Sequence, residues 1–163
     1  LCRRAEQTVP HRVLHATALP IPMKHWSTDY LGIPWKTGGR ERDGLDCWGL
    51  ARLVYADQLG ISMTEHANTL ADHPEVIAQV ERVELAQNRA WREIDKSEAE
   101  DLDGIAFGRP GKGFSHVGIY VKDADAVLQA HRRGCSVITS LQQMHELGWT
   151  LQKFYRHVSR CPH

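Results

Sequence analysis

The sequence predicts an α+β domain in which N-terminal helices pack on a central antiparallel sheet. Three observations carry this. Apolar residues repeat at helical spacing in two stretches of the first half, from Cys47 to about Leu59 and from about Asp72 to Val83. After Trp91 the period changes to short apolar runs at 104–107, 116–121, 125–130 and 135–139, separated by Gly, Asp or Lys, which read as strands. Helices therefore come first and strands later, the order of an α+β fold. A chain of 163 residues fits one domain with a sizeable core.

Along the chain, Pro10, Pro20 and Pro22 break regular structure in a segment without period, so residues 1–22 are expected to form an extended arm. Met23 reads as a translation start, so the arm is expected to be dispensable and residues 23–160 are expected to form the folded domain. Residues 26–46 are loop-rich: Tyr30-Leu31-Gly32-Ile33-Pro34-Trp35 is followed by Gly38-Gly39 and Gly44. In the first helix Leu50, Leu53 and Val54 share a face and Gly60 is the terminator. In the second, Asp72 caps, Pro74 suits the first turn and Glu75 favours the dipole, with Val76, Ile77, Val80 and Val83 as a core stripe. Gly108 to Gly113 reads as a flexible hairpin-like loop; no helix follows it, so its glycines do not match a phosphate loop. Ser140 to Leu147 is expected to be a short helix and 150–158 a last strand.

Composition narrows the function. Twenty basic residues balance twenty acidic ones, which gives no electrostatic case for nucleic acid or an anionic membrane. No segment approaches the roughly 18 apolar residues of a membrane helix. Arg3 and Arg4 are followed by His11, Arg12 and His15 rather than an apolar run, a poor secretory signal. Ten histidines should add positive charge to the surface below about pH 6.5. Cys2, Cys47, Cys135 and Cys161 form no Cys-x-x-Cys pair, so their spacing fits neither structural zinc nor a disulfide framework.

Chemistry concentrates at two positions. Cys47 lies in Gly44-Leu45-Asp46-Cys47-Trp48-Gly49-Leu50, where a turn hands over to an amphipathic helix. The first turn of a helix offers N–H groups without intrahelical partners and about half a positive charge. That field favours a thiolate, the form that attacks a carbonyl, and supplies donors for an oxyanion. A buried structural cysteine is the alternative reading. His116 opens Ser115-His116-Val117-Gly118-Ile119-Tyr120, and a strand holds a general base rigidly; a structural histidine is the alternative. Gly118 leaves room for a side chain from another element. A third group usually orients the imidazole. Gln129 and His131, two apart in Val127-Leu128-Gln129-Ala130-His131, face the same side and are both candidates.

Those three segments, in this order and separation, resemble the NlpC-type cell-wall peptidases over roughly residues 28–158. Asp46-Cys47-Trp48-Gly49-Leu50, preceded by Gly32-Ile33-Pro34-Trp35 and Gly38-Gly39, is most similar to variants found in bacteriophage tails. The resemblance implies a papain-like fold with Cys47 as nucleophile, His116 as general base and Gln129 as third residue, with His131 as runner-up. Trp35 stands where the family often has Tyr; Tyr30 is the candidate to supply the missing hydroxyl. With Asp46 and Trp48 these residues are expected to line the substrate site. The usual Gly-Asp before the central strand is reversed here as Asp103-Gly104. The implied substrate is a peptidoglycan stem peptide, cut between D-glutamate and a diamino acid, with no metal or organic cofactor. The implied setting is a phage tail tip, alongside other tail-tip proteins, made in the host cytoplasm and acting at the bacterial wall. The rival reading is a structural tail protein that keeps the peptidase fold as a scaffold; acyl transfer by the same cysteine and histidine is a second enzymatic reading. Trp26, Trp48, Trp91 and Trp149 read as core or groove walls, Cys135 and Cys161 as bystanders, and Arg132-Arg133 as a solvated strand end.

Overall fold

A computed structural model describes residues 24–63, 90–111 and 113–161, with the backbone alone at 113, 114 and 152. The arm of residues 1–22, Cys2 and the helix expected from Asp72 lie outside the described residues.

Before the first helix the chain makes a minimal antiparallel hairpin, β1 (Arg40–Glu41) with β2 (Gly44–Leu45). Strands of two residues carry no period, so the sequence gives no sign of them. Asp46 then stands in extended backbone and caps α1 (Cys47–Leu59) by accepting the Gly49 N–H. Cys47, Leu50, Ala51, Val54 and Tyr55 form the buried stripe of this helix at spacings of three and four. Gly60 ends it in the left-handed region, φ 65°.

The remaining strands are β3 (Trp91–Ile94), β4 (Gly104–Arg109), β5 (Gly113–Val121), β6 (Ala126–Ala130), β7 (Ser136–Ser140) and β8 (Thr150–His157). They form one sheet in the order β3-β8-β4-β5-β6-β7, every neighbour antiparallel. Between β7 and β8 lies α2 (Leu141–Glu146), opened by a capping box in which Ser140 and Gln143 exchange hydrogen bonds. Two expectations need correcting. β3 was not expected as a strand: it lies at a sheet edge with only Ile94 buried, so it shows no alternation. The loop expected over Gly108–Gly113 is shorter, because Gly108 and Gly113 both pair within the β4–β5 ladder beyond a bulge at Phe107 and Gly108.

The central strands are covered on both faces. On one, α1 packs Leu50, Val54 and Tyr55 with Val117, Ile119 and Val121 of β5 and Leu128 of β6. On the other, Ile105, Phe107, Tyr120, Val127 and Phe154 pack with Met144 of α2. Residues 116–121 and 126–130 are therefore buried throughout, which is why they read as unbroken runs. The segment 32–35 lies along β7: Gly32 N–H donates to Ser136 O at 2.9 Å, Ser136 N–H to Ile33 O at 2.8 Å, and Trp35 N–H to Gly134 O at 2.9 Å. No helix among the described residues is long and apolar enough to cross a membrane.

The reversed Asp103-Gly104 pair has a structural role. Asp103 is fully buried and accepts from Arg156 Nε at 3.0 Å and Nη2 at 2.6 Å, from Arg160 Nη1 at 2.7 Å, and from Glu100 N–H at 2.8 Å. It thereby ties β8 and the C-terminal turn to the start of β4. Asp103→Asn leaves the two guanidinium groups around a neutral amide. It should lower stability by on the order of 3 kcal/mol, read as a fall in the urea midpoint; an unchanged midpoint would refute this assignment.

Candidate active site

The start of α1 is fixed by Asp46. Its carboxylate, 4% exposed, accepts Gly49 N–H at 2.7 Å and Gly38 N–H at 3.0 Å, and pairs with Arg40 Nη1 at 2.7 Å. All three partners belong to the protein, so Asp46 positions the Gly38-Gly39 loop against the helix rather than presenting itself to a ligand. That loop lies so close that a Cβ on Gly49 would stand 2.1 Å from the Gly39 carbonyl oxygen. The glycine of Asp-Cys-Trp-Gly-Leu is thus demanded by packing. Trp35 sits beside this turn, its backbone bridged to Leu45 and its half-buried indole 3.4 Å from Thr37 Oγ1. Trp48 points into the core. The Tyr30 hydroxyl is at the other end of α1, where it accepts from Gln58 Nε2 at 2.9 Å and donates to Asp57 at 3.3 Å. Asp57 is ten residues on from Cys47, about 15 Å along the helix, so the Tyr30 hydroxyl does not stand in for one beside Cys47.

His116 and Gln129 meet directly: imidazole Nε2 and Gln129 Oε1 are 2.8 Å apart, and both side chains are buried. The other end of the amide lies 2.9 Å from Thr139 Oγ1 and 3.0 Å from Met144 Sδ. A thioether only accepts, so the atom facing it is the amide nitrogen and Oε1 faces the histidine. The imidazole therefore donates from Nε2, and the tautomer assigned on this basis leaves the lone pair on Nδ1. Of the two candidates for third residue it is Gln129 that bonds the imidazole. His131 lies beyond the end of β6 in the exposed turn that also carries Arg132 and Arg133. Gly118 is needed here too, since Val127 Cγ2 occupies the space 2.2 Å from where its Cβ would be.

Two aromatic rings complete the surroundings of the imidazole. Trp149 stacks on it with centroids 4.9 Å apart and planes 28° apart, and Phe107, its cross-strand partner, lies at 6.3 Å. Burial lowers the His116 pKa to about 4, opposed by the hydrogen bond to Gln129 and reinforced by the charges of His131 and Arg109. The ring is thus neutral near pH 7 and able to accept a proton.

The model of the NlpC/P60 family matches residues 32–158, a span that holds Cys47, His116 and Gln129. The chain belongs to the NlpC/P60 family. It is 29% identical over 115 residues to a Haemophilus influenzae protein named "Probable endopeptidase", a match covering 69% of this chain and 60% of the relative. The chain thus spans about three fifths of that curated relative. Among solved structures, the NlpC/p60 domain of the peptidoglycan hydrolase SagA superposes with a TM-score of 0.56 at 22% identity, covering 80% of this chain and 92% of that one. An NlpC/P60 family protein of Bacillus cereus gives 0.58 at 19% identity over 80% and 37%. The peptidoglycan hydrolase RipB of Mycobacterium tuberculosis gives 0.52 at 22% over 80% and 60%. These likenesses show the fold, and the papain-like α+β arrangement expected from the sequence is the one observed. Within this NlpC/P60 domain α1 packs on β5 and β6, so the element bearing Cys47 lies against the strands bearing His116 and Gln129.

Thr139 and Met144, which fix the Gln129 amide, carry no catalytic signature in the sequence, and Trp149 is marked there only as a wall. Ser140 and Gln143, as a capping box, were the available signal that a helix would bring Met144 in. Two outcomes follow. Gly49→Ala should cost about 1–3 kcal/mol through overpacking against the Gly39 carbonyl, seen as a lower urea midpoint; wild-type stability would show that the loop yields freely. The folded protein holds His116 neutral to about pH 4, whereas the unfolded chain protonates it near 6.5. Its contribution is complete above about pH 6.5 and is lost as pH falls towards 4. Urea midpoints should therefore fall less steeply with acidification in His116→Gln than in wild type, and parallel curves would contradict the burial argument.

Proposed function

We propose that this chain is a cysteine peptidase that hydrolyses amide bonds in peptidoglycan stem peptides, between D-glutamate and a diamino acid. The observation that carries the reading is the buried His116–Gln129 hydrogen bond, which leaves Nδ1 as the proton acceptor on a rigid strand. In this mechanism His116 Nδ1 takes the proton of the Cys47 thiol while the sulfur attacks the peptide carbonyl carbon. The C=O electron pair moves to oxygen, and N–H groups at the start of α1 stabilise the oxyanion. Collapse breaks the C–N bond, His116 gives its proton to the leaving amine, and a thioester remains. Water, deprotonated by His116, then attacks the thioester and restores the thiol. Gln129, a neutral amide, holds the ring by accepting from Nε2; it orients the imidazolium without countering its charge. Trp35, beside the turn that leads to Cys47, is the aromatic wall for the substrate.

The relatives, named as an endopeptidase and as peptidoglycan hydrolases, support the reaction class. The phage-tail setting is part of the same proposal and is supported by the resemblance of Gly32-Ile33-Pro34-Trp35, Gly38-Gly39 and Asp46-Cys47-Trp48-Gly49-Leu50 to tail-associated variants. There the enzyme would open the wall locally, in contact with other tail-tip proteins.

Cys47→Ala should keep the wild-type fold by circular dichroism and release no stem-peptide fragments from purified peptidoglycan, while wild type releases fragments whose masses identify the bond. Iodoacetamide at neutral pH should modify Cys47 far faster than Cys135 or Cys161. Equal labelling rates, together with no fragment release by wild type under reducing conditions, would favour the scaffold reading instead.

A further inference from the structure

The corner between α2 and β8 does more than connect them. Trp149 N–H donates to Met144 O at 3.0 Å, so the residue stacked on His116 and the residue holding the Gln129 amide are fixed to each other. Trp149 also carries Arg109, whose guanidinium carbon lies 4.2 Å from the ring centroid. Arg109 Nη1 also reaches the Leu147 carbonyl at 3.4 Å. Gly148 takes φ 80° between them, and a Cβ there would sit 3.3 Å from Arg109 Nη1. The indole thus contacts both an exposed guanidinium and a buried imidazole.

We infer that Trp149, backed by Arg109, is a positioning residue for the His116–Gln129 pair: it roofs the imidazole against water and fixes the ring plane, so that Nδ1 is presented to the nucleophile. The inference rests on reading Cys47 and His116 as the catalytic pair. Stacked geometry restrains rotation about the ring's bond to the backbone, which the single hydrogen bond to Gln129 does not do alone. A dry roof also strengthens that hydrogen bond. The cation–π contact gives the indole a second partner that restrains it.

The charged or titratable groups that bear on His116 are Arg109 at the end of β4, His131 beyond β6 and, on the catalytic reading, Cys47 of α1. The corner itself presents Met144, the Gly148 backbone and Trp149, none of them charged; His145 and Glu146 of α2 are exposed. Removing the roof or the guanidinium should therefore move His116 in one direction, upward towards its ordinary value.

The test is nitrogen-15 NMR of the full chain, following the His116 ring through a pH titration. Wild type should hold the Nε2–H tautomer with a midpoint well below 6.5. Trp149→Ala should raise the midpoint by roughly one unit or more and speed exchange of the Nε2–H proton, while Trp149→Phe retains both wild-type features. Arg109→Met should raise the midpoint by less and leave the tautomer alone. On peptidoglycan fragments Trp149→Ala should lose roughly tenfold or more in kcat with a smaller change in KM. An unchanged midpoint and tautomer in Trp149→Ala overturn the inference; if that variant does not fold, an unchanged midpoint in Arg109→Met overturns it. Wild type without hydrolytic activity would sink the catalytic reading separately, and the titrations would still decide whether Trp149 governs the imidazole.

Discussion

A thioether sulfur cannot donate a hydrogen bond, and the polarity of the whole site follows from that. Met144 Sδ and Thr139 Oγ1 take the amide nitrogen of Gln129, which turns its oxygen to His116 and sets the imidazole tautomer. Reversing the amide would put two acceptors, oxygen and sulfur, face to face in a dry interior, at the cost of an unsatisfied buried group. Proton position at His116 is thus decided by residues on β7 and α2 that act through Gln129.

The sheet makes this possible because it is covered on both sides. α1 lies on one face and α2 with its corner on the other. Alternation along β5 sends Val117, Ile119 and Val121 to the α1 side and Tyr120 to the α2 side. The imidazole shares the surroundings of Phe107 and Trp149, and α1, which begins at Cys47, packs against the strand that carries it. The first turn of α1 therefore matters as much as the strand, and the Asp46 cap and the Gly39–Gly49 contact together determine where that turn stands.

Much of this was legible in the sequence, and unevenly so. α1 could be bounded at both ends because a cap and a terminator flank an apolar stripe, each a local signal. The strands bearing His116 and Gln129 stood out because burial on both faces makes unbroken apolar runs. β3 did not, since an edge strand with one buried residue has no period to read. The choice between Gln129 and His131 was also beyond the sequence: same-face spacing made them equivalent, and what separates them is Thr139 and Met144, ten and fifteen residues away. Trp149 was recognisable as an aromatic wall, but its place over the imidazole depends on a turn at Gly148 whose direction only the fold reveals. Tyr30 misled for the opposite reason, being near Cys47 in the sequence and at the far end of a helix in space.

The strip of chain from Gly32 to Trp35 has a consequence for how molecules of this kind behave in company. By bonding to Gly134 and Ser136 it occupies hydrogen-bonding groups at the β7 rim that another chain would otherwise use to extend the sheet. At the opposite rim, β3 exposes Arg92 and Glu93, charges that discourage a stranger strand from docking. The same short loop that brings Trp35 up to the helix start thus also covers the beginning of the β7 rim, where a strand from a neighbouring copy would otherwise find open hydrogen-bonding groups.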